Sequence, residues 1–180
     1  SLALHRDGYA RFSVASDARG NAVEGYFFGT DGHLVLVKGG VAHVTRRFDA
    51  HNRLIEERFF GLSDEAVLRA NDSCDDDEDL KGLFGEWRGL MLAALYTEDQ
   101  RAAISAGGFA AIEQAFDERG DLVSRRFSGL DGEPVNGPEG FAQIQVDYAF
   151  MEKPAAIRGF AADGTALPEL HITYTPLRDV

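Results

Sequence analysis

The stretch that decides the fold is Gly108-Phe109-Ala110-Ala111-Ile112-Glu113-Gln114-Ala115-Phe116-Asp117-Glu118-Arg119-Gly120-Asp121, which runs on through Arg125-Arg126-Phe127 to Asp131-Gly132. Ala110, Ile112, Gln114 and Phe116 fall on alternate positions, the period of a strand with one buried face. Asp117-Glu118-Arg119-Gly120-Asp121 then supplies what a hairpin reversal needs: an Asp that bonds its own backbone and a Gly that accepts positive φ. A second strand follows, and Asp131-Gly132 turns the chain again towards a short third strand.

The same grammar recurs on both sides. Gly8-Tyr9-Ala10 leads to Asp17-Ala18-Arg19-Gly20-Asn21, then to Asp31-Gly32 and a third strand Leu34-Val35-Leu36-Val37. Gly40-Val41-Ala42 leads to Phe48-Asp49-Ala50-His51-Asn52-Arg53, with Asn52 in the glycine's place and Ser63-Asp64 in place of Asp-Gly. Gly140-Phe141-Ala142 keeps Asp163-Gly164 but carries Phe150-Met151-Glu152-Lys153-Pro154 at the first turn, as a terminal capping copy would. Gly8 to Gly40 and Gly108 to Gly140 are steps of 32 residues, whereas Gly40 to Gly108 is a step of 68. A unit of this kind cannot bury its apolar face alone, so copies must stack or extend a common sheet.

The longer step holds a different pattern. Leu80, Leu83, Phe84, Trp87, Leu90, Met91, Ala94 and Leu95 recur at spacings of three and four, which predicts a helix near 77–96. The acidic run Asp75 to Asp79 lies where the helix dipole favours negative charge. Thr97-Glu98-Asp99-Gln100 has capping-box spacing and predicts a second short helix through Ser105, stopped by Gly107-Gly108. The expected fold is therefore mainly β (α+β), an antiparallel sheet of tandem β-hairpin repeats with a helical insertion packed on one face. The repeats span about 8–39, 40–67, 108–139 and 140–167, the insertion about 75–106 and a closing strand 169–176, all in one domain, 1–180.

Composition bounds the function. The 180 residues are 44% hydrophobic and 27% charged, enough for a real core. Asp plus Glu number 30 against 18 Lys plus Arg, so the net charge is -12, which disfavours nucleic acid as a partner. No run of about 18 apolar residues is present, so no membrane span is expected, and Ser1 to His5 has no signal-peptide character. The single cysteine, Cys74, rules out an internal disulfide and a multi-cysteine zinc site.

No catalytic, cofactor or metal signature emerges. The acidic residues Asp72 and Asp75 to Asp79 lack the Gly and closing Glu of a calcium loop and read as a solvated loop. His5, His33, His43, His51 and His171 have no ligand spacing, and no serine has the glycines of a nucleophile elbow. The glycines fall at turns and none opens a phosphate loop. Arg46, Arg47, Arg125 and Arg126 are expected to pair with nearby carboxylates such as Glu56, Glu57 or Asp117. Most aromatics read as core. Tyr9, Phe109 and Phe141 keep the phase of the wet face and, with Trp87 of the insertion, are the candidate partner-binding residues.

At Phe48-Asp49-Ala50-His51-Asn52-Arg53-Leu54-Ile55-Glu56-Glu57-Arg58-Phe59-Phe60 and Phe116-Asp117-Glu118-Arg119-Gly120-Asp121-Leu122-Val123 the chain resembles the aromatic-Asp-x-x-Gly β-hairpin repeats of bacterial proteins, of which YD repeats are the best known. The resemblance implies a non-catalytic scaffold or binding module, periplasmic or secreted, whose partner is a protein or a cell-envelope polymer. It carries over no functional residues and no cofactor. Sheet edges offer such a module a route to oligomers. The alternatives are a small acid/base hydrolase using Asp147 or Glu113 with His43, and a sensor ectodomain or accessory domain of a longer chain.

Overall fold

The computed structural model describes residues 4–70, 98–150 and 153–174. Its strands are β1 (Arg11–Ser16), β2 (Ala22–Phe28), β3 (His43–Phe48), β4 (Leu54–Phe60), β5 (Arg69–Ala70), β6 (Gly108–Phe109), β7 (Ala111–Phe116), β8 (Leu122–Ser128), β9 (Gln143–Phe150), β10 (Lys153–Phe160) and β11 (Leu170–His171). Among the described residues nine of them form one antiparallel sheet in the order β1-β2-β3-β4-β7-β8-β9-β10-β11, and β5 pairs with β6 separately.

Equivalent residues hold equivalent registers. Gly25 opposes Val44 where β2 meets β3, Glu57 opposes Ile112 where β4 meets β7, and Arg125 opposes Ile144 where β8 meets β9. The middle junction spans the 68-residue step, yet its register matches the two 32-residue ones. The reason lies in the connecting turns. Val37 bridges Val41 across Lys38-Gly39-Gly40, and Gly137 N–H bonds Phe141 O across Pro138-Glu139-Gly140. In the same place β5 and β6 pair Arg69 with Phe109. The additional chain between the hairpins thus leaves from the tip of a turn, and its ends are held together as closely as a three-residue connection would hold them.

The hairpin turns repeat as well. Asp17, Asp49 and Asp117 each donate their N–H to the carbonyl four residues on, and Gly20, Asn52 and Gly120 take positive φ, Asn52 at 63°. Straight after the second strand's turn the chain does not run on into a regular strand; only short β5 and β11 follow further along. Leu34, Ala66, Pro134 and Ala166 each make one isolated bridge back to the strand just left. Val35, Val67, Val135 and Leu167 then donate N–H to Phe27, Phe59, Phe127 and Gly159. The expected third strand is therefore a folded-back segment, because those carbonyls draw it onto its own hairpin. Asp64 stands at φ 66° where the other units have Gly32, Gly132 and Gly164.

Alternation puts Val44, Phe59, Ile112, Phe127, Ile144 and Ile157 on one face, face A. Val41, Val44, Phe59, Phe109, Ile112 and Phe127 form one core cluster, with Val37, Val67 and Val135 of the folded-back segments packed on it. Phe141, Ile144, Val146 and Ile157 form a second. Face B is mostly polar, with cross-strand pairs Arg47–Glu56 at 2.8 Å and Asp147–Arg158 at 2.8 Å. Gly159 is glycine for reasons of contact, since a Cβ there would lie 2.3 Å from the Phe141 ring.

The second predicted helix is present as α1 (Glu98–Ala106), with Glu98 and Asp99 in its first turn. The helix near 77–96, the acidic residues 72–79, Cys74 and Trp87 lie outside the described residues. Among those described, no helix covers a face of the sheet, so the packed helical face is not part of the observed architecture. No described helix is long and apolar enough to cross a membrane. The closing strand is β11, whose Leu170 pairs with Ile157, while Tyr174 donates its hydroxyl to Pro154 O.

Candidate functional site

Face A is not apolar throughout. One cross-strand position holds Val14 opposite Gly25, Arg46 opposite Glu57, Gln114 opposite Arg125 and Val146 opposite Ile157. Polar pairs therefore sit mid-sheet between apolar ones. Arg46 Nε donates to Glu57 Oε1 at 2.6 Å. Arg125, buried, donates from Nε and Nη2 to Gln114 Oε1 and from Nη1 to the buried Glu139 at 3.2 Å.

Over β1 to β4 the same face opens into a groove of about 330 Å³. Phe12, Phe27, Val37, Val41, Val44 and Phe59 line it with apolar surface, and Tyr9 stands at its side, half-buried, its ring 5.2 Å from that of Phe27. Arg6, Lys38, Arg46 and Arg69 bring four cations to it, against the carboxylates of Asp7 and Glu57. Arg69 lies over the Phe59 ring at 5.3 Å, a cation–π geometry. Arg6, Lys38 and Arg69 come from successive turns that abut one another: Lys38 N–H bonds Asp7 O, and Ala70 N–H reaches Gly39 O. The groove is a local excess of positive charge on a chain of net charge -12.

On face B, His43 is buried between the rings of Tyr26 and Phe60, at 4.2 and 5.1 Å. Its Nδ1 lies 3.0 Å from Asp64 Oδ1, and its Nε2 has no hydrogen-bond partner among the described residues. This contact accounts for an Asp at a positive-φ position. Glu113 is two strands away and Asp147 four, and each meets an arginine, Arg126 and Arg158. The structure does not gather the His43, Glu113 and Asp147 of the acid/base reading, and the groove opens on the opposite face.

At the hairpin end the aspartates link one turn to the next. Asp49 Oδ1 accepts the N–H groups of His51 and Arg53, and its Oδ2 accepts Arg53 Nε at 2.6 Å. Arg53 Nη1 continues to Asp117 O, and Arg19 Nη1 reaches Asp49 O at 2.7 Å. The Arg53 N–H, then its guanidinium and the His51 N–H, hold the Asp49 carboxyl down from its ordinary 3.8 to about 2. A depressed carboxyl stabilises the fold above its unfolded value and loses that contribution as pH falls through its folded one. Asp49→Asn is accordingly expected to melt below the parent near neutral pH. The difference in Tm should shrink as pH falls from about 3.8 to about 2. A gap constant across that window would mean that the charge of Asp49 contributes nothing.

The candidate partner-binding residues divide. Phe109 is 0% exposed and Phe141 3%, so neither is on a wet face, and that assignment is corrected. Each enters its unit just before the regular ladder begins, where the chain bends inward. Tyr9 borders the groove, and Trp87 lies outside the described residues. The expectation for the arginines holds for Arg46 and Arg47, which pair with Glu57 and Glu56. Arg6, Lys38 and Arg69 were not anticipated. The one sequence signal was Arg46, a charge on the buried phase of a strand. Among the described residues no cluster of three or more His, Cys, Asp or Glu could hold a metal. A scan against protein-family models matches none, and a search of curated proteins finds no match.

Proposed function

We propose that the chain is a tandem array of four hairpin units, two on each side of an insertion, and acts as a non-catalytic binding module. Its ligand is an acidic segment of a partner protein with apolar residues beside its carboxylates. The observation that carries this reading is the groove over β1 to β4, where Arg6, Lys38, Arg46 and Arg69 ring an apolar floor. Apolar floors supply affinity, and complementary charge supplies orientation and encounter rate. The recurrence of turn and register hydrogen bonds supports the unit reading, as does the resemblance to YD-type repeats.

The test is fluorescence anisotropy with a labelled peptide of alternating Asp and Phe. Binding that weakens about tenfold or more in Lys38→Glu with Arg69→Glu, and weakens with added salt, supports the reading. Equal affinity for parent and double variant places the peptide elsewhere and removes the groove as the site. Turnover in a broad hydrolase screen by the isolated chain would remove the non-catalytic assignment.

A further inference from the structure

The two ends of the sheet are finished differently. At the far end β11 lies along β10, with Leu170 opposite Ile157 and Ile172 N–H on Ala155 O. At the near end, among the described residues, β1 pairs with β2 alone. Its face-A side chains are the most exposed of their kind: Phe12 is 41% exposed, whereas its counterparts Val44, Ile112 and Ile144 are 6%, 3% and 3%. Val14 is 46% exposed, against 3% for its counterpart Val146. Phe12 lies opposite Phe27, whose N–H bonds Ala42 and whose carbonyl accepts from Val35, so the Phe12 amide faces away from β2.

The residues before β1 say what fits there. His5 N–H bonds Tyr9 O, as Val37 N–H bonds Val41 O and Gly137 N–H bonds Phe141 O. Gly8 N–H bonds His5 O at 2.9 Å, as Gly40 bonds Val37 and Gly140 bonds Gly137, both at 2.9 Å. In those two places the turn joins a complete hairpin unit to the strand that follows it, and the incoming hairpin's second strand covers that strand's edge. Of the charges and prolines that guard a bare edge, Arg11 to Ser16 carries Arg11 alone, and its guanidinium lies over the Phe28 ring at 3.9 Å.

We propose that the β1 edge is a docking site for one further hairpin unit of the same kind, joined through the turn at His5–Asp7. Its second strand lies antiparallel on β1 in the register of the other junctions, and its closing segment covers Phe12 and Val14. This rests on the unit reading above, and because Phe12 also lines the groove, the added unit closes the groove's β1 end.

The experiment places a duplicate of residues 8–39 directly before Gly8, replacing residues 1–7, and follows amide hydrogen exchange by NMR in parent and extended chain. In this register the added Glu24, Gly25 and Tyr26 oppose Ser13, Phe12 and Arg11, as the original three oppose Thr45, Val44 and His43. Exchange at Phe12 and Val14 is expected to slow by about 100-fold or more, as for edge amides drawn into a ladder. If the added unit protects its own hairpin amides while Phe12 and Val14 exchange as before, the docking inference fails and the unit reading stands. If the added unit forms no hairpin, both fail. If the parent chain already protects Phe12 and Val14 and sediments as a dimer, the edge belongs to a second copy and the inference is overturned.

Discussion

Phe109→Ala is expected to lower the unfolding free energy by about 3–5 kcal/mol, the range for emptying an aromatic site in a core. Phe109 has no exposed surface and stands edge-on between two other aromatics, 5.6 Å from the Phe59 ring and 4.9 Å from that of Phe127. All three are among the largest fully buried side chains described, so neighbours have little freedom to collapse into the space. The same change at Tyr9, which enters its unit at the equivalent point but is only half-buried, is expected to cost clearly less. Denaturant unfolding read by circular dichroism measures both. A partner-binding anchor behaves in the opposite way: its loss leaves the melt unchanged and weakens a complex. An unchanged midpoint for Phe109→Ala would thus restore the surface role that its burial denies.

Arg125→Ala is expected to destabilise by about 3–5 kcal/mol, because it leaves the Glu139 carboxylate in the interior without its guanidinium. Arg125 and Glu139 are each 4% exposed, and no rearrangement short of local opening returns the carboxylate to water. The cost belongs to desolvated charge left without that guanidinium more than to the worth of the pair. Replacing both partners, Arg125→Met with Glu139→Leu, is therefore expected to recover stability to within about 1 kcal/mol of the parent. A double variant as unstable as Arg125→Ala would assign the loss to Gln114 and the packing around the guanidinium stem instead.

Much of the sheet was legible because its strands obey one rule repeatedly. Ala142, Ile144 and Val146 alternate with Gln143, Gln145 and Asp147, and Asp-x-x-Gly or Asp-x-x-Asn turns mark the first three hairpins. Departures arose where a contact distant in sequence overrides the local period. Leu34 to Val37 reads as a short apolar strand but is drawn back by the Phe27 carbonyl. Phe109 reads as wet-face by counting from Gly108, yet its pairing with Arg69 carries it out of the ladder and under the sheet. The groove was illegible for the same reason. Arg6, Lys38 and Arg69 sit in three turns spaced about one unit apart, and only stacking of the units brings their charges together. Within a single hairpin only Arg46, a charge on the buried phase, hints at the groove.

The claim on which the rest depends is that the sheet is built of interchangeable units and that the insertion leaves from the turn between two of them. Removing residues 71–106 joins Ala70 to Gly107 and leaves Arg69-Ala70-Gly107-Gly108-Phe109, matched in length to Val37-Lys38-Gly39-Gly40-Val41. The step from Gly40 to Gly108 then falls from 68 residues to 32. Cross-strand NMR contacts between β4 and β7 report the outcome. In the shortened chain Glu56 is expected still to oppose Glu113, Glu57 Ile112 and Arg58 Ala111. A shifted register, or loss of the β4–β7 contacts while the flanking hairpins stay folded, would contradict the claim.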